Sequence, residues 1–119
     1  MVGPPAPVQE DGDEATIFEV VEVNPSFPGG DEALMEYLKK NLKYPSIAQD
    51  NGIQGRVIVQ FVVNKDGSIV EPQVIRSVDP SLDKEAIRVV SAMPKWTPGR
   101  QRGKPVRVRF TLPVTFRLR

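Results

Sequence analysis

The sequence predicts an α+β fold, in which two helices pack on one face of a small antiparallel sheet in the chain order β-α-β-β-α-β. Three observations predict it. Residues 106–118 alternate between apolar and polar side chains, the pattern of a strand with one buried face. Residues 56–64 and 68–77 flank an Asp-Gly turn and form a hairpin. Residues 31–43 and 79–93 have helical apolar spacing, and a proline follows each.

The chain begins with residues 1–16, in which proline, glycine and acidic residues predominate. That composition is typical of a flexible leader or the remnant of a linker, so the folded domain is predicted at residues 17–119. Residues 17–23, with the sequence IFEVVEV, are apolar and β-branched and predict a short strand. The segment NPSFPGG then requires a turn.

The first helix is predicted to be capped by Gly30 or Asp31. Pro45 excludes the helical conformation at Tyr44, so the helix ends by about Lys43. The segment SIAQDNG after it predicts one further helical turn. One buried stripe is expected, made of Leu34, Leu38 and Leu42 with Met35 beside them.

The hairpin strands differ in their expected place in the sheet. Residues 56–64 are partly apolar on both faces, which favours a central strand. Pro72 has no amide N–H, so the following strand is expected to lie at an edge or to contain a bulge.

The second helix is predicted to begin with Asp79 as N-cap and Pro80 at its first position, and to end before Pro94. The segment WTPGRQRGKP is expected to be a loop, and its Trp96 to belong to the core. The apolar face of the helix is predicted to consist of Leu82, Ala86, Val89, Val90 and Met93.

Composition excludes several kinds of chemistry. The chain has no histidine and no cysteine, which removes histidine triads, thiol catalysis and zinc sites built on those residues. An enzyme is therefore the least supported class, and no metal or cofactor is predicted. Net charge is +1, yet residues 1–36 hold nine acids and no base, and residues 95–119 hold eight bases and no acid. Two interpretations stay open: a basic surface for an acidic partner, or contact between the two segments.

Taken together, these motifs resemble the C-terminal domain of TonB over roughly residues 28–118. The FPGG and YLKKNLKYP segments look like the Bacteroidetes branch of that family. The resemblance depends on order and spacing rather than on any one motif. It is carried by Tyr44-Pro45-x-x-Ala48, Gly55, Asp66-Gly67, Trp96-x-Pro98-Gly99, Gly103-x-Pro105 and Phe116-x-Leu118.

The resemblance implies a periplasmic domain of an inner-membrane-anchored protein. Such a protein, with ExbB and ExbD, couples proton motive force to outer-membrane TonB-dependent transporters. It also implies that an extended TonB-box peptide adds to the sheet beside the last strand, and that isolated domains can exchange strands into dimers. The peptide-binding residues implied in this way are Asn41, Lys43, Tyr44, Pro45, Arg107, Val108, Arg109, Phe110 and Thr111.

Proline 113 indicates which side of the last strand is free for such a peptide. Because Pro113 has no N–H, the side to which it points cannot carry an unbroken inner ladder. We therefore expect the outer ladder to use Arg107, Arg109 and Thr111. Residues 17–23 are an addition to the best-known members, and they are a candidate competitor for this edge.

Less specific explanations remain for the same residues. Tyr44-Pro45 is also consistent with a helix stop and a packed aromatic, Asn41 with a helix cap, and the strand arginines with a solvated face. Two other functions also remain: the same module on a BlaR-type sensor peptidase, and a nucleic-acid binder. The near-zero net charge and the lack of exposed interleaved aromatics disfavour nucleic acid.

Overall fold

The computed structural model describes residues 16–118. The predicted leader 1–16, apart from Thr16, and Arg119 lie outside the described residues. The elements in chain order are β1 (Ile17–Phe18), α1 (Asp31–Asn41), α2 (Ser46–Asp50), β2 (Gly55–Val63), β3 (Ile69–Arg76), α3 (Pro80–Ser91), β4 (Gly99–Gln101) and β5 (Lys104–Phe116).

The sheet has the strand order β1-β5-β2-β3. Strands β2 and β5 pair antiparallel without a register break, from Gly55 opposite Phe116 to Val63 opposite Val108. Strand β2 is therefore central, as its two-sided apolar pattern predicted. The α+β class is confirmed, with one correction: β1 pairs parallel with β5, so the sheet is mixed rather than wholly antiparallel.

The core lies on the face of the sheet that the helices cover. Alternate residues of β2 and β5 point into it because side chains of a strand alternate between faces. Tyr37 of α1 donates its hydroxyl to the Val89 carbonyl of α3 over 2.8 Å, so both helices share this core. Its principal side chains are Leu34, Leu38, Val57, Val59, Phe61, Val63, Leu82, Ala86, Val89, Trp96, Leu112, Val114 and Phe116.

Helix α3 begins as predicted. Asp79 is its N-cap, Pro80 is its first residue, and the Asp79 carboxylate accepts from the Ser81 amide at 3.0 Å. The hydrogen bonds from Ser81 hold the pKa of Asp79 below its ordinary value. Helix α1 begins after Gly30 without a side-chain cap and ends at Asn41.

Several elements differ from the prediction. The strand expected at 17–23 is only Ile17–Phe18, because the chain bends and Val23 bridges to Arg100 instead. The expected loop after Trp96 contains β4, which forms a tight hairpin with β5. Arg102 and Gly103 at its centre have φ of 54° and 76°. Positive φ at both central residues is typical of a type I′ turn, which matches strand twist.

The β2–β3 turn is held against the loop before β4. The Trp96 amide donates to the Gly67 carbonyl at 2.8 Å. Gly67 has φ of 90°, and a Cβ placed on it would lie 2.0 Å from the Trp96 carbonyl oxygen. Only glycine fits this position, which explains why the Asp-Gly turn is obligatory here.

Met35 was expected in the buried stripe of α1, and this was wrong. Its side chain is 63% exposed, whereas Leu34 and Leu38 are buried. The helix covers the sheet with a narrow face, so Met35 lies at the rim, next to β5.

Candidate functional site

The outer side of β5 is where backbone groups remain available. Pro113 lies opposite Ile58 in the unbroken β2–β5 ladder. Because proline has no N–H, Ile58 and Pro113 form one of the pairs that do not exchange hydrogen bonds. By alternation, the N–H and C=O groups of Arg109, Thr111 and Thr115 point away from β2.

Part of this outer side is already paired within the chain. Strand β4 pairs with β5 at residues 104–106, and β1 pairs with Arg107 and Val108. Within the described residues 16–118, no strand pairs with the outer side of β5 after Val108. We call residues 109–115 the open edge. At about 3.4 Å per residue it is roughly 20 Å long.

Two acidic residues that follow β1, Glu19 and Glu22, contact β5 and the β4–β5 hairpin. The Glu19 carboxylate lies 2.6 Å from the Arg109 guanidinium, directly after β1. The Glu22 carboxylate accepts from the Arg102 amide at 2.8 Å, and the Glu22 amide donates to Gln101 Oε1 at 3.0 Å. Of the two interpretations of the charge segregation, contact between the acidic and basic segments is therefore observed for Glu19 and Glu22.

A groove runs between α1 and the end of the open edge. It encloses about 280 Å³. Its α1 side is mainly apolar, with one lysine, and its β5 side is the last part of the open edge. The lining residues are Met35, Leu38, Lys39, Leu42, Pro113, Val114 and Thr115.

The end of α1 is fastened to α3 by Glu85. This carboxylate, on a residue only 9% exposed, accepts from the Lys43 amide at 2.7 Å. Arg88 binds Glu85 at 2.7 Å and also donates to the Asn41 carbonyl at 2.9 Å. Burial tends to raise the pKa of Glu85, but the hydrogen bonds from Arg88 and the Lys43 amide outweigh it and hold that pKa below its ordinary value.

The Tyr44 ring packs edge-on against Phe116 with centroids 5.6 Å apart, and its hydroxyl donates to the Ile53 carbonyl. Lys43 and Pro45 line a separate cavity with α3. The Asn41 side chain donates to the Tyr37 carbonyl of its own helix at 2.8 Å. Residues 41–45 therefore lie near the C-terminal end of β5 and against α3.

The other predicted site residues lie along the first half of β5. Arg107 donates to Asn64 Oδ1 at 2.9 Å and faces Glu71 at 3.9 Å, and Val108 is buried. Arg109 and Thr111 belong to the open edge, and the Phe110 ring packs on Phe61 and Trp96. The structure thus places Tyr44 against Phe116, which lies roughly 17 Å along β5 from Thr111 and roughly 31 Å from Arg107 at about 3.4 Å per residue.

The groove residues Met35 and Lys39 were missed as site residues by sequence reasoning. The sequence contains no signal that Met35 is exposed, because helical spacing placed it with the leucines of the buried stripe. Its exposure beside β5 depends on how the helix crosses the sheet, which periodicity does not specify. In residues 16–118, no helix is long and apolar enough to cross a bilayer. The same range contains no cluster of acidic side chains suited to a metal ion.

Comparison with known proteins places this geometry in context. Residues 40–118 match the family model described as Gram-negative bacterial TonB protein C-terminal. Protein TonB of Helicobacter pylori is 46% identical over 35 residues, which are 29% of this chain and 12% of that protein. Protein TonB of Pseudomonas aeruginosa is 43% identical over 53 residues, or 44% of this chain and 15% of that protein. The matched part is thus a small fraction of these curated relatives.

Solved structures agree. A solution NMR structure of the Helicobacter pylori TonB C-terminal domain has a TM-score of 0.57 at 27% identity, and covers 77% of this chain and 87% of that one. The corresponding Pseudomonas aeruginosa domain has a TM-score of 0.50 at 34% identity, with coverages of 64% and 77%. The assignment to a Bacteroidetes-like branch stays a prediction.

Proposed function

The chain belongs to the family of TonB C-terminal domains, and from that premise we propose that it is the peptide-binding end of a TonB-type energy transducer. In this proposal the domain works in the periplasm, and the parent protein is anchored in the inner membrane with ExbB and ExbD as partners. The domain binds the TonB box of an outer-membrane transporter by strand addition. It then transmits the pull that proton motive force generates.

The observation that carries the proposal is the open edge. A strand edge with unpaired N–H and C=O groups is a template for an extended peptide. Residues 109–115 form such an edge, and the other side of β5 is paired with β2 from Val108 to Phe116. Thr111 supplies a donor and an acceptor there, and Arg109 and Pro113 supply their carbonyls, because the bridge between Phe18 and Val108 engages the Arg109 N–H.

The expected affinity suits a reversible complex. A ladder along the open edge has a few main-chain hydrogen bonds, each contributing roughly 0.5–1.5 kcal/mol net. After the cost of ordering the peptide, the binding free energy is at best about −8 kcal/mol, which is a micromolar Kd. Main-chain pairing also accepts varied peptide sequences, as one transducer that serves several transporters requires.

The two groups of predicted site residues have different roles in this proposal. Arg109, Phe110 and Thr111 form the start of the open edge, whereas the outward backbone groups of Arg107 become available only when β1 leaves. Val108 pairs with Val63 of β2, so its backbone groups do not belong to the outer side. Asn41, Lys43, Tyr44 and Pro45 act indirectly. They fasten the end of α1 and so fix the helix beside the edge.

The test compares two variants that both lack the Thr111 side chain and its hydrogen bond from Gln60 but differ in the backbone N–H. Thr111→Pro deletes the outward N–H, and Thr111→Ala keeps it while deleting the same side chain. We expect a synthetic TonB-box peptide, titrated by calorimetry, to bind Thr111→Ala within about twofold of the wild type. Thr111→Pro should lose fivefold or more, since about 1 kcal/mol of hydrogen bonding is lost. Equal affinity of the two variants would contradict strand addition at this edge.

A further inference from the structure

The sheet has a second face, opposite the core, which we call the uncovered face. Residues of β2 that alternate with the core residues, such as Ile58 and Gln60, lie on it. Thr111 of β5 lies on the same face, since the Gln60 side chain donates to its hydroxyl at 3.3 Å. In the described residues 16–118, the buried side chains of the helices belong to the core on the first face.

Every base that the long strands place on the uncovered face is an arginine. These are Arg56 of β2, Arg76 of β3, and Arg107 and Arg109 of β5, with Arg117 directly after β5. The bases within α1 and α3 are mostly lysines, namely Lys39, Lys40 and Lys84, and the one arginine there, Arg88, binds Glu85. Arginine has a planar fork that pairs with carboxylates and is enriched at interfaces, whereas lysine is depleted there. The uncovered face therefore has the composition of an interface.

The arginines at the two ends of this face differ in their partners. Near β1, Arg107 and Arg109 each have an acidic neighbour. At the other end, three exposed arginines make no ion pair with any acid in residues 16–118: Arg56, Arg76 and Arg117. The charge that is available to a partner is therefore concentrated at the end of the face where β2 begins.

These three arginines are close enough to act together. Arg76 lies opposite Ile58, and Arg56 is two residues before Ile58. For strands about 4.8 Å apart with a rise of about 3.4 Å per residue, the Cα atoms of Arg56 and Arg76 are roughly 8 Å apart. Arg56 and Arg117 line one cavity of about 340 Å³ together with Thr115. We call Arg56, Arg76 and Arg117 the arginine surface.

Aliphatic side chains lie beside the arginine surface. Ile58 is half-buried, Pro113 opposite it is exposed, and Ile75 is 50% exposed where β3 has an extra residue relative to β2. Covering them removes apolar surface from water. An anionic membrane attracts lysine and arginine alike, so it accounts for neither the aliphatic residues nor the choice of arginine. The combination favours a protein that presents carboxylates beside aliphatic side chains.

We propose that the arginine surface binds an acidic amphipathic helix of another protein. Two glutamates one heptad apart on a helix are separated by about 10.5 Å, and the residues midway between them lie on the same side. Such a helix sets two carboxylates against two of the arginines and an aliphatic side chain against Ile58 and Ile75. Strand β5 separates this surface from the open edge, so the two sites can be occupied together. The inference goes beyond the proposed function and does not depend on it.

The probe is an acetylated and amidated helical peptide that has glutamates one heptad apart and leucines midway between them. One control peptide replaces the glutamates with glutamine, and another replaces the leucines with alanine. Each peptide is titrated by NMR against the wild-type chain, Arg56→Gln, Arg56→Lys and Lys40→Gln. Arg56→Lys keeps the charge but removes the fork. Lys40→Gln is the matched control, because it removes the same charge from an exposed position on α1.

We expect the glutamate–leucine peptide to bind most tightly and to shift the amide signals of residues 56–58 and 75–77. Arg56→Gln should weaken its binding by up to about fivefold and Arg56→Lys by about twofold, whereas Lys40→Gln should leave it unchanged. Prior saturation of the open edge with a TonB-box peptide should not alter the affinity.

Several results would overturn the inference, and each indicates a different reason. If no saturable shifts appear at these amides, or if the glutamine peptide binds equally well, the surface does not recognise carboxylates. If vesicles of phosphatidylglycerol shift these amides and the peptide does not, a membrane is the partner. If the peptide competes with the TonB-box peptide, it binds the open edge. If sedimentation shows self-association that Arg56→Gln abolishes, a second copy occupies the surface. The comparison of Thr111→Pro with Thr111→Ala tests the proposed function independently of all these results.

Discussion

The two edges of the sheet are built differently. The β3 edge is irregular: its register with β2 shifts between Gln60 and Val62 and again between Ile58 and Val59. Glu71 within it has φ of 54° and is followed by Pro72. The β5 edge keeps an unbroken register with β2 over its paired length, and within residues 109–115 its donor row is interrupted at Pro113.

The difference means that the β3 edge is poorly suited to strand addition, whereas the β5 edge is regular enough for it. Bulges and prolines blunt an edge because they break the row of evenly spaced donors and acceptors that a visiting strand needs. On β5 the chain uses a short cover instead, with β1 paired at Arg107 and Val108 and Glu19 bound to Arg109. We therefore expect a guest at β5 and none at β3.

The largest expected contrast is in amide hydrogen exchange of the peptide-free domain. The amides of Phe110, Leu112 and Val114 point to β2 and should be protected up to the global stability, typically 5–15 kcal/mol. The amides of Thr111 and Thr115 point outward and should exchange with little protection. Exchange followed by NMR measures both sets, and uniform protection along residues 110–115 would show that the outer side is covered.

Gly67→Ala should destabilise the hairpin that carries the β3 edge. The new Cβ would lie 2.0 Å from the Trp96 carbonyl oxygen, at a φ of 90°. Overpacking and left-handed strain together predict a loss of about 2–5 kcal/mol. Gly103→Ala is the matched control, since Gly103 also has positive φ but no atom within 4 Å of the added Cβ. Its loss should stay near 1–2 kcal/mol, and chemical denaturation of both variants measures the difference.

Glu85→Gln should loosen α1 beside the β5 edge and lower the free energy of unfolding by about 1–3 kcal/mol at neutral pH, because the hydrogen bonds to Arg88 and Lys43 weaken. The pKa of Glu85 is depressed in the folded state. Its stabilisation is therefore complete above the ordinary carboxyl pKa and is lost as pH falls through the lower, folded-state value. Denaturation midpoints between pH 7 and pH 3 should fall less for Glu85→Gln than for the wild type. Glu36→Gln, on the exposed side of α1, is the control.

The smallest effect is expected for the cover on the β5 edge. Glu19→Gln removes the ion pair with Arg109 but keeps the size of the side chain. Exposed ion pairs contribute about 0–1 kcal/mol, so the affinity of a TonB-box peptide should rise by at most about fivefold. Glu32→Gln, an exposed acid elsewhere in the sequence, controls for the change in net charge. A lower affinity in Glu19→Gln would show that the acidic segment supports the guest instead of competing with it.

Local patterns predicted most elements well. The alternation in β5, the Asp-Pro start of α3 and the proline after α1 each specify a structure through a few neighbouring residues, so they can be interpreted without knowing the fold. Residues 17–23 could not be interpreted in this way. Their apolar run predicts one strand. In the structure Ile17 and Phe18 pair with β5, whereas Val23 bridges to Arg100 of β4.

The candidate site was predictable in part for the same reason. Pro113 predicted the outward side of β5 from one missing N–H, and the structure places Pro113 opposite Ile58 in an unbroken register. Met35 was placed in the core because helical periodicity tells which residues share a face but not how much of that face the sheet covers. Residues 41–45 contact β5 at its C-terminal end, where Tyr44 packs on Phe116. The sequence does not specify which part of β5 these residues meet.

The sequence by itself determined the features that short-range chemistry imposes. These are the helix limits, the Asp-Gly turn between β2 and β3, the buried face of β5, and the absence of histidine and cysteine chemistry. Tertiary structure alone decided that β1 pairs parallel with β5, that the open edge begins at Arg109, and that Met35 borders a groove. The physical reason is that pairing and coverage depend on which surfaces meet after the chain folds, and residues far apart in sequence carry no local signal of that meeting.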